Sequence, residues 1–181
     1  MKILVAFYSE TGNTEKVARA LYETASRDHE VDLRKVSEIE PDTFKSYNLV
    51  FIGSACHDAD LAVPVKKALE ALPDSPKFKL AGFFTHATYP SEGSQTRKTL
   101  FKEWAGKCVE SFQHISEEKQ IDFQGYFNCQ GAPIPPILNF IKNRIISPDK
   151  WEEYEREVLK HPTPEDLQRA KEFAREMISQ I

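Results

Sequence analysis

The chain has 181 residues, 40% of them hydrophobic and 29% charged, with 7 Gly and 11 Pro; this excludes a disordered or fibrous chain and leaves room for one domain of ordinary size. The 24 Lys and Arg stand against 28 Asp and Glu for a net charge of -4 without a long run of either sign, which argues against a nucleic-acid partner or an anionic membrane surface. The 3 cysteines, Cys56, Cys108 and Cys129, have no CxxC spacing, so neither a disulfide framework nor a zinc ribbon is indicated and a cytoplasmic location is expected.

Short apolar runs rich in β-branched and aromatic residues alternate with segments of helical period, the pattern of a parallel sheet covered on both faces. The first strand is expected over residues 3–8, and its apolar run is too short for a signal segment or a membrane span. A helix follows over 14–26, with Val17, Leu21 and Ala25 on one face, then a weaker strand over 30–35 in which Val31 and Leu33 alternate. Residues 42–46 make at most a single turn. The third strand covers 49–54, a crossover helix 63–72 with Val65 and Leu69 inward, and the fourth strand 80–85. A long helix over 95–115 sets Phe101, Trp104, Cys108 and Ile115 on one stripe, and the fifth strand covers 121–128.

Residues 131–161 are extra. Their apolar first half contains Pro133, Pro135 and Pro136, and with Lys142 and Arg144 it fails as a membrane span. Their second half, from Ser147 to Lys160, reads as helical with Trp151, Tyr154 and Val158 on one side. The last helix is announced by Thr163 as N-cap, Pro164 at the first helical position and Asp166 three residues after the cap. Leu167, Ala170, Phe173, Ala174, Met177, Ile178 and Ile181 make its apolar stripe. The expected fold is therefore α/β: a doubly wound, five-stranded parallel sheet in a single domain over 1–181, with 131–161 as a helical insertion before the last helix.

The informative motif follows the first strand at once: Ser9, Glu10, Thr11, Gly12, Asn13 and Thr14, leading into a helix. At the C-terminal end of a parallel strand, hydroxyls and turn N–H groups converge on one point, and the helix dipole adds positive potential there. A plain capping turn would also favour Ser, Thr and Asn, but so many such residues around one Gly at this place read as an anion cradle. Neither GxGxxG nor GxxxxGK[ST] occurs, which disfavours a dinucleotide fingerprint and a P-loop. A receiver domain would want acidic ends to the first and third strands, where Tyr8, Ser9, Gly53 and Ser54 stand instead.

Ser9, Thr11, Gly12 and Thr14 match the form [ST]-x-T-G-x-T, and in this the sequence resembles the flavodoxin family. The resemblance covers the order of elements over about residues 1–130 and the last helix. It implies strand order 2-1-3-4-5, FMN held without covalent attachment, its phosphate in the first loop, and its ring between the loops after the third and fourth strands. Ligands of doubly wound sheets sit beyond the strand C-termini by the same logic. The first of those loops carries Ser54, Ala55, Cys56 and His57, and the second Thr85, His86, Tyr89 and Gly93. Tyr89 is the aromatic expected to stack on the outer flavin face. Where many flavodoxins place a tryptophan, this chain offers only His57, which would stack, donate a hydrogen bond to the flavin, or cap the turn into Val63. Cys56 would line the flavin site and Cys129 would end the fifth strand nearby, or both are small core fillers as Cys108 is expected to be, and nothing in the sequence activates them; Asp58, Asp60 and Glu92 would set a negative field at the ring.

No HExxH and no i, i+4 histidine pair occurs among the 5 histidines, so the chemistry would belong to the flavin. Two functions remain: an electron carrier between redox partner proteins, or an FMN-dependent NAD(P)H:quinone or small-acceptor oxidoreductase. A scaffold that has lost FMN is a third, disfavoured by the intact loop. The segment 131–161 leaves the sheet on the flavin edge, where it would be filler, a cover for the ring, a docking surface or a homodimer contact.

Overall fold

The computed structural model describes residues Met1–Ile181. Its strands are β1 (Lys2–Phe7), β2 (Glu30–Lys35), β3 (Leu49–His57), β4 (Asp60–Leu61), β5 (Lys79–His86) and β6 (Asp122–Gln130). The five long ones lie in the order β2-β1-β3-β5-β6, all parallel, which is the expected order. The short β4 was not foreseen. It pairs antiparallel with the end of β3, Cys56 opposite Leu61 and His57 opposite Asp60. Asp58 and Ala59 turn between them at φ 49° and 67°, the positive angles that a two-residue hairpin of matching twist requires. This hairpin carries β3 past Ser54 to His57, and β5 and β6 run on in register to His86 and Gln130.

Six α-helices surround the sheet: α1 (Asn13–Ala25), α2 (Val63–Glu70), α3 (Gln95–Glu118), α4 (Pro135–Arg144), α5 (Trp151–Val158) and α6 (Pro164–Ser179). Because strand side chains alternate, Ile3 and Val5 of β1 pack with Val17, Leu21, Ala170 and Met177 of α1 and α6. Leu4 and Ala6 face the other way, onto Val65 and Leu69 of α2 and Phe112 of α3. Gly53 permits the closest approach inside the sheet, since a Cβ there would fall 2.1 Å from the Phe83 ring. No helix is long and apolar enough to cross a membrane.

The insertion holds more helix than its prolines suggest. Pro135 and Pro136 occupy the first positions of α4, where the missing N–H leaves no bond unmade, so the apolar half is helical as well as the expected second half. Ile141, Ile146, Trp151, Tyr154 and Val158 form a separate small core, packed against Ala87, Tyr89 and Leu100 of the body. The start of α6 is the expected one, with Thr163 Oγ1 accepting from Asp166 N at 3.2 Å and Asp166 Oδ2 from Thr163 N at 2.8 Å.

Candidate functional site

The loop after β1 enters α1 through Gly12 at φ 86°, a conformation that costs other residues ~1–2 kcal/mol. A Cβ at Gly12 would meet open space. Ser9 Oγ accepts from Gly12 N at 3.1 Å and closes the loop. Asn13 Nδ2 donates to Thr11 Oγ1 at 3.0 Å and to Ala132 O at 2.8 Å, which staples the loop to the insertion. The buried Thr14 hydroxyl shares a 2.8 Å hydrogen bond with Thr85 Oγ1. Ser9, Asn13 and Thr14 thus build the loop as well as face it. For an anion there remain the first N–H groups of α1, which no side chain caps, and the proton of Thr11, whose oxygen accepts from Asn13. One proton of the Thr14–Thr85 pair is also free, since a hydroxyl that accepts still donates. These donors and the helix dipole suit a phosphate dianion.

A cavity of about 590 Å³ opens from this loop, within the range of cofactor sites. Glu10, Thr11, Asn13 and Thr14 form its polar floor, and Thr85, His86, Ala87 and Thr88 the end over β5. The hairpin contributes Ala55, Cys56, His57, Asp58 and Ala59. Trp104, Ile137, Phe140, Ile141 and Tyr154 make an apolar roof, in which the Phe140 ring meets Trp104 edge-on at 5.7 Å. The enclosure is amphipathic: donors at one end, flat apolar walls at the other.

Two histidines occupy different surroundings. His57 Nε2 lies 3.4 Å from one Glu10 oxygen, and Tyr8 donates to the other at 2.6 Å. That hydrogen bond, with burial and the carboxylate charge, raises the Tyr8 phenol above its ordinary range. His57 therefore stands at the cavity mouth; Ala62, without side-chain help, caps α2, so the capping role falls away. His86 is buried between Phe84 and Phe101, with ring centroids 5.8 and 5.2 Å away, and donates from Nε2 to Asn128 Oδ1 at 3.1 Å. Burial pushes its pKa down to about 4, so this wall is uncharged at neutral pH.

Several expected site residues lie elsewhere. Tyr89 is outside the cavity wall, held edge-on by Tyr154 at 5.4 Å with the Arg97 guanidinium 4.8 Å from its ring; the expected stacking position is not the one it adopts. Gly93, at φ 105°, lies beside Arg97 and also outside. Ser54 is fully buried, accepting from Ala62 N at 2.9 Å and donating to Ala55 O at 2.7 Å. Of the three acidic residues only Asp58 lines the cavity. Asp60 is turned to Lys66 at 2.7 Å and Ser111 at 2.6 Å; burial opposes its ionisation, but these hydrogen bonds outweigh it and hold the carboxyl below its usual range. Glu92 is 4.0 Å from Arg169. Cys129 is buried in the α1–α6 core, not in the cavity wall, and burial raises its thiol. Trp104, Ile137, Phe140 and Tyr154 were missed because apolar residues on a helical stripe look the same whether they face a core or a cavity.

A family model described as Flavodoxin domain matches residues 4–175. The chain is 27% identical over 188 residues to the flavodoxin-like domain-containing protein BilS of Clostridioides difficile (strain CD3), across 98% of this chain and 97% of that one. Flavodoxin 2 from Bacillus cereus superposes with a TM-score of 0.64 at 20% identity, covering 100% of both chains. An azoreductase from Bacillus anthracis str. Sterne reaches 0.59 at 13% identity, over 97% of this chain and 99% of its own. At such identities the two structural likenesses speak for the fold.

Proposed function

Because the chain belongs to the flavodoxin domain family, whose members bind FMN, we propose that it is an FMN-dependent electron carrier working between redox partners. The observation that carries this reading is the single cavity joining an uncapped helix N-terminus to an apolar roof. The N–H groups of residues 13–15 and the Thr11 hydroxyl bind the phosphate, and Asn13, tied to Ala132, keeps the floor closed. Trp104, Ile137 and Phe140 exclude water from the ring end. Bound FMN supplies the one- and two-electron chemistry, and the protein supplies position and field. Asp58 adds negative charge at the hairpin, which disfavours extra electrons on a neighbouring group, while neutral His86 adds none.

A second reading, an FMN-dependent NAD(P)H:quinone or small-acceptor oxidoreductase, is favoured by one feature. Ile134, Ile137 and Phe140 are 44%, 47% and 45% exposed around the roof, and an apolar acceptor would rest there as well as a protein would. The two readings part in one experiment on the FMN-loaded protein. A carrier accepts electrons from a flavoprotein reductase and NADPH, passes them to a second redox protein, and leaves NADH and NADPH untouched on its own. Rapid unaided oxidation of either nicotinamide with a quinone present replaces the first reading by the second.

A further inference from the structure

The segment 131–161 leaves the body at Gly131 and returns at His161, and its two ends meet. Ala132 N donates to His161 O at 3.0 Å, while Gly131 N donates to His86 O at 2.9 Å. One side chain of the phosphate loop grips this neck. Asn13, the first residue of α1, gives one amide proton to Ala132 O at 2.8 Å, 119 residues away in the chain, and the other to Thr11 Oγ1 at 3.0 Å. A backbone carbonyl only accepts, so the Ala132 contact fixes which way the amide faces. The crossing is close. A Cβ at Gly131 would fall 3.0 Å from Asn13 Cβ and 3.1 Å from its Cγ and Nδ2, nearer than packed atoms ordinarily sit, so a methyl group there would push the amide off its acceptors. Thr11 is exposed on the cavity floor. Its oxygen accepts from Asn13, which leaves its own proton for an anion, and a hydroxyl that donates to an anion accepts more strongly in turn.

We infer that Asn13 is a positioning residue that couples the phosphate loop to the roof: an anion on Thr11 tightens the Asn13 bridge and holds the neck of residues 131–161 closed, and Gly131 is the position that lets the bridge pass. This rests on the reading of residues 9–14 as the phosphate site and adds what that site controls. The coupling runs both ways, so a closed neck also favours the phosphate. A flavin with a phosphate is thereby selected twice, once by the donors of the loop and once by a roof that orders fully only above an occupied loop.

The test is hydrogen exchange on the full-length chain saturated with FMN, with riboflavin, and with riboflavin plus inorganic phosphate. Both flavins carry the same ring and differ in the phosphate. Exchange over 131–161 should be about fivefold slower with FMN than with riboflavin, the effect of one neutral hydrogen bond, and inorganic phosphate should recover part of the difference. Asn13→Ala and, from the other side of the contact, Gly131→Ala should each bring the FMN and riboflavin curves together over 131–161 while β1 and α6 stay protected. Equal protection of 131–161 by the two flavins in the unaltered chain overturns the coupling, and that comparison needs neither variant to fold. The peptide spanning residues 9–14 separates the two failures: if FMN slows it more than riboflavin does, the phosphate site stands and only the coupling is wrong, and if it does not, the phosphate site falls and the coupling with it.

Discussion

The floor and the roof of the cavity are built on different plans. The floor, residues 9–14, is tied within itself by Ser9 to Gly12 and Thr11 to Asn13, and it joins β1, in the middle of the sheet, to α1. The roof, supplied by residues 131–161 apart from Trp104 of α3, has a small core of its own and leans on the body at Ala87, Tyr89 and Leu100. Tyr154 ties the two halves of that contact together by donating to Ala87 O while its ring meets Tyr89. A floor set in the main fold fixes which ligand end is bound; a roof with separate cohesion can loosen without melting the floor. On the proposed function, affinity belongs to the first and access of redox partners to the second.

The largest effect expected from separating them is on the roof. Trp151 is 7% exposed in its core, and Trp151→Ala should remove ~3–5 kcal/mol of local stability. Hydrogen exchange should quicken over 131–161 and stay slow in β1 and α1; equal loss in both would make them one cooperative unit. Acid comes next, acting where the roof segment leaves the sheet, since His86 O at the end of β5 accepts from Gly131 N at 2.9 Å. His86 has a pKa of about 4 against 6.5 unperturbed, so the unfolded chain takes up a proton before the folded one does. Stability is therefore full above pH 6.5 and falls as pH drops toward 4, by roughly 3 kcal/mol. Denaturant titrations across that window should show the slope, and His86→Phe should flatten it.

Smaller effects belong to the floor and the hairpin. Thr11→Ala and Thr14→Ala should each weaken FMN by ~1–3 kcal/mol, the loss for a hydrogen bond to a charged group, and leave riboflavin almost unchanged. Calorimetric titration with both ligands checks this, and a matching loss for riboflavin would mean that the threonines only shape the loop. The smallest change is a gain: Ala59 holds φ 67°, and Ala59→Gly should stabilise the hairpin by up to ~1 kcal/mol, read as a higher denaturation midpoint. No gain would show that the turn is unstrained.

This contrast also decides what could be read from sequence. The floor residues are neighbours in the chain, and Gly12, Thr11 and the start of α1 announce themselves through local turn and cap chemistry. So do Thr163 and Asp166 at α6. The roof is written in contacts between distant residues. Tyr89 looked like a loop aromatic free to stack, but its place is set by Tyr154 and Arg97. Asp60 looked like a charge at the ring and is taken by Lys66 and Ser111. The hairpin stayed hidden because Asp58 and Ala59 lack the Asn-Gly type of signal that a two-residue turn normally shows. The apolar half with Pro135 and Pro136 carried no helix expectation, although at the head of α4 these prolines are starters.

The central claim is that the loop from Ser9 to Thr14 binds the phosphate of FMN. Fluorescence titration of the flavin-free full-length chain with FMN and with riboflavin, at one ionic strength, isolates that phosphate. Two or more charge-assisted hydrogen bonds predict FMN binding tighter by at least ~100-fold; equal affinity for the two flavins would contradict the account.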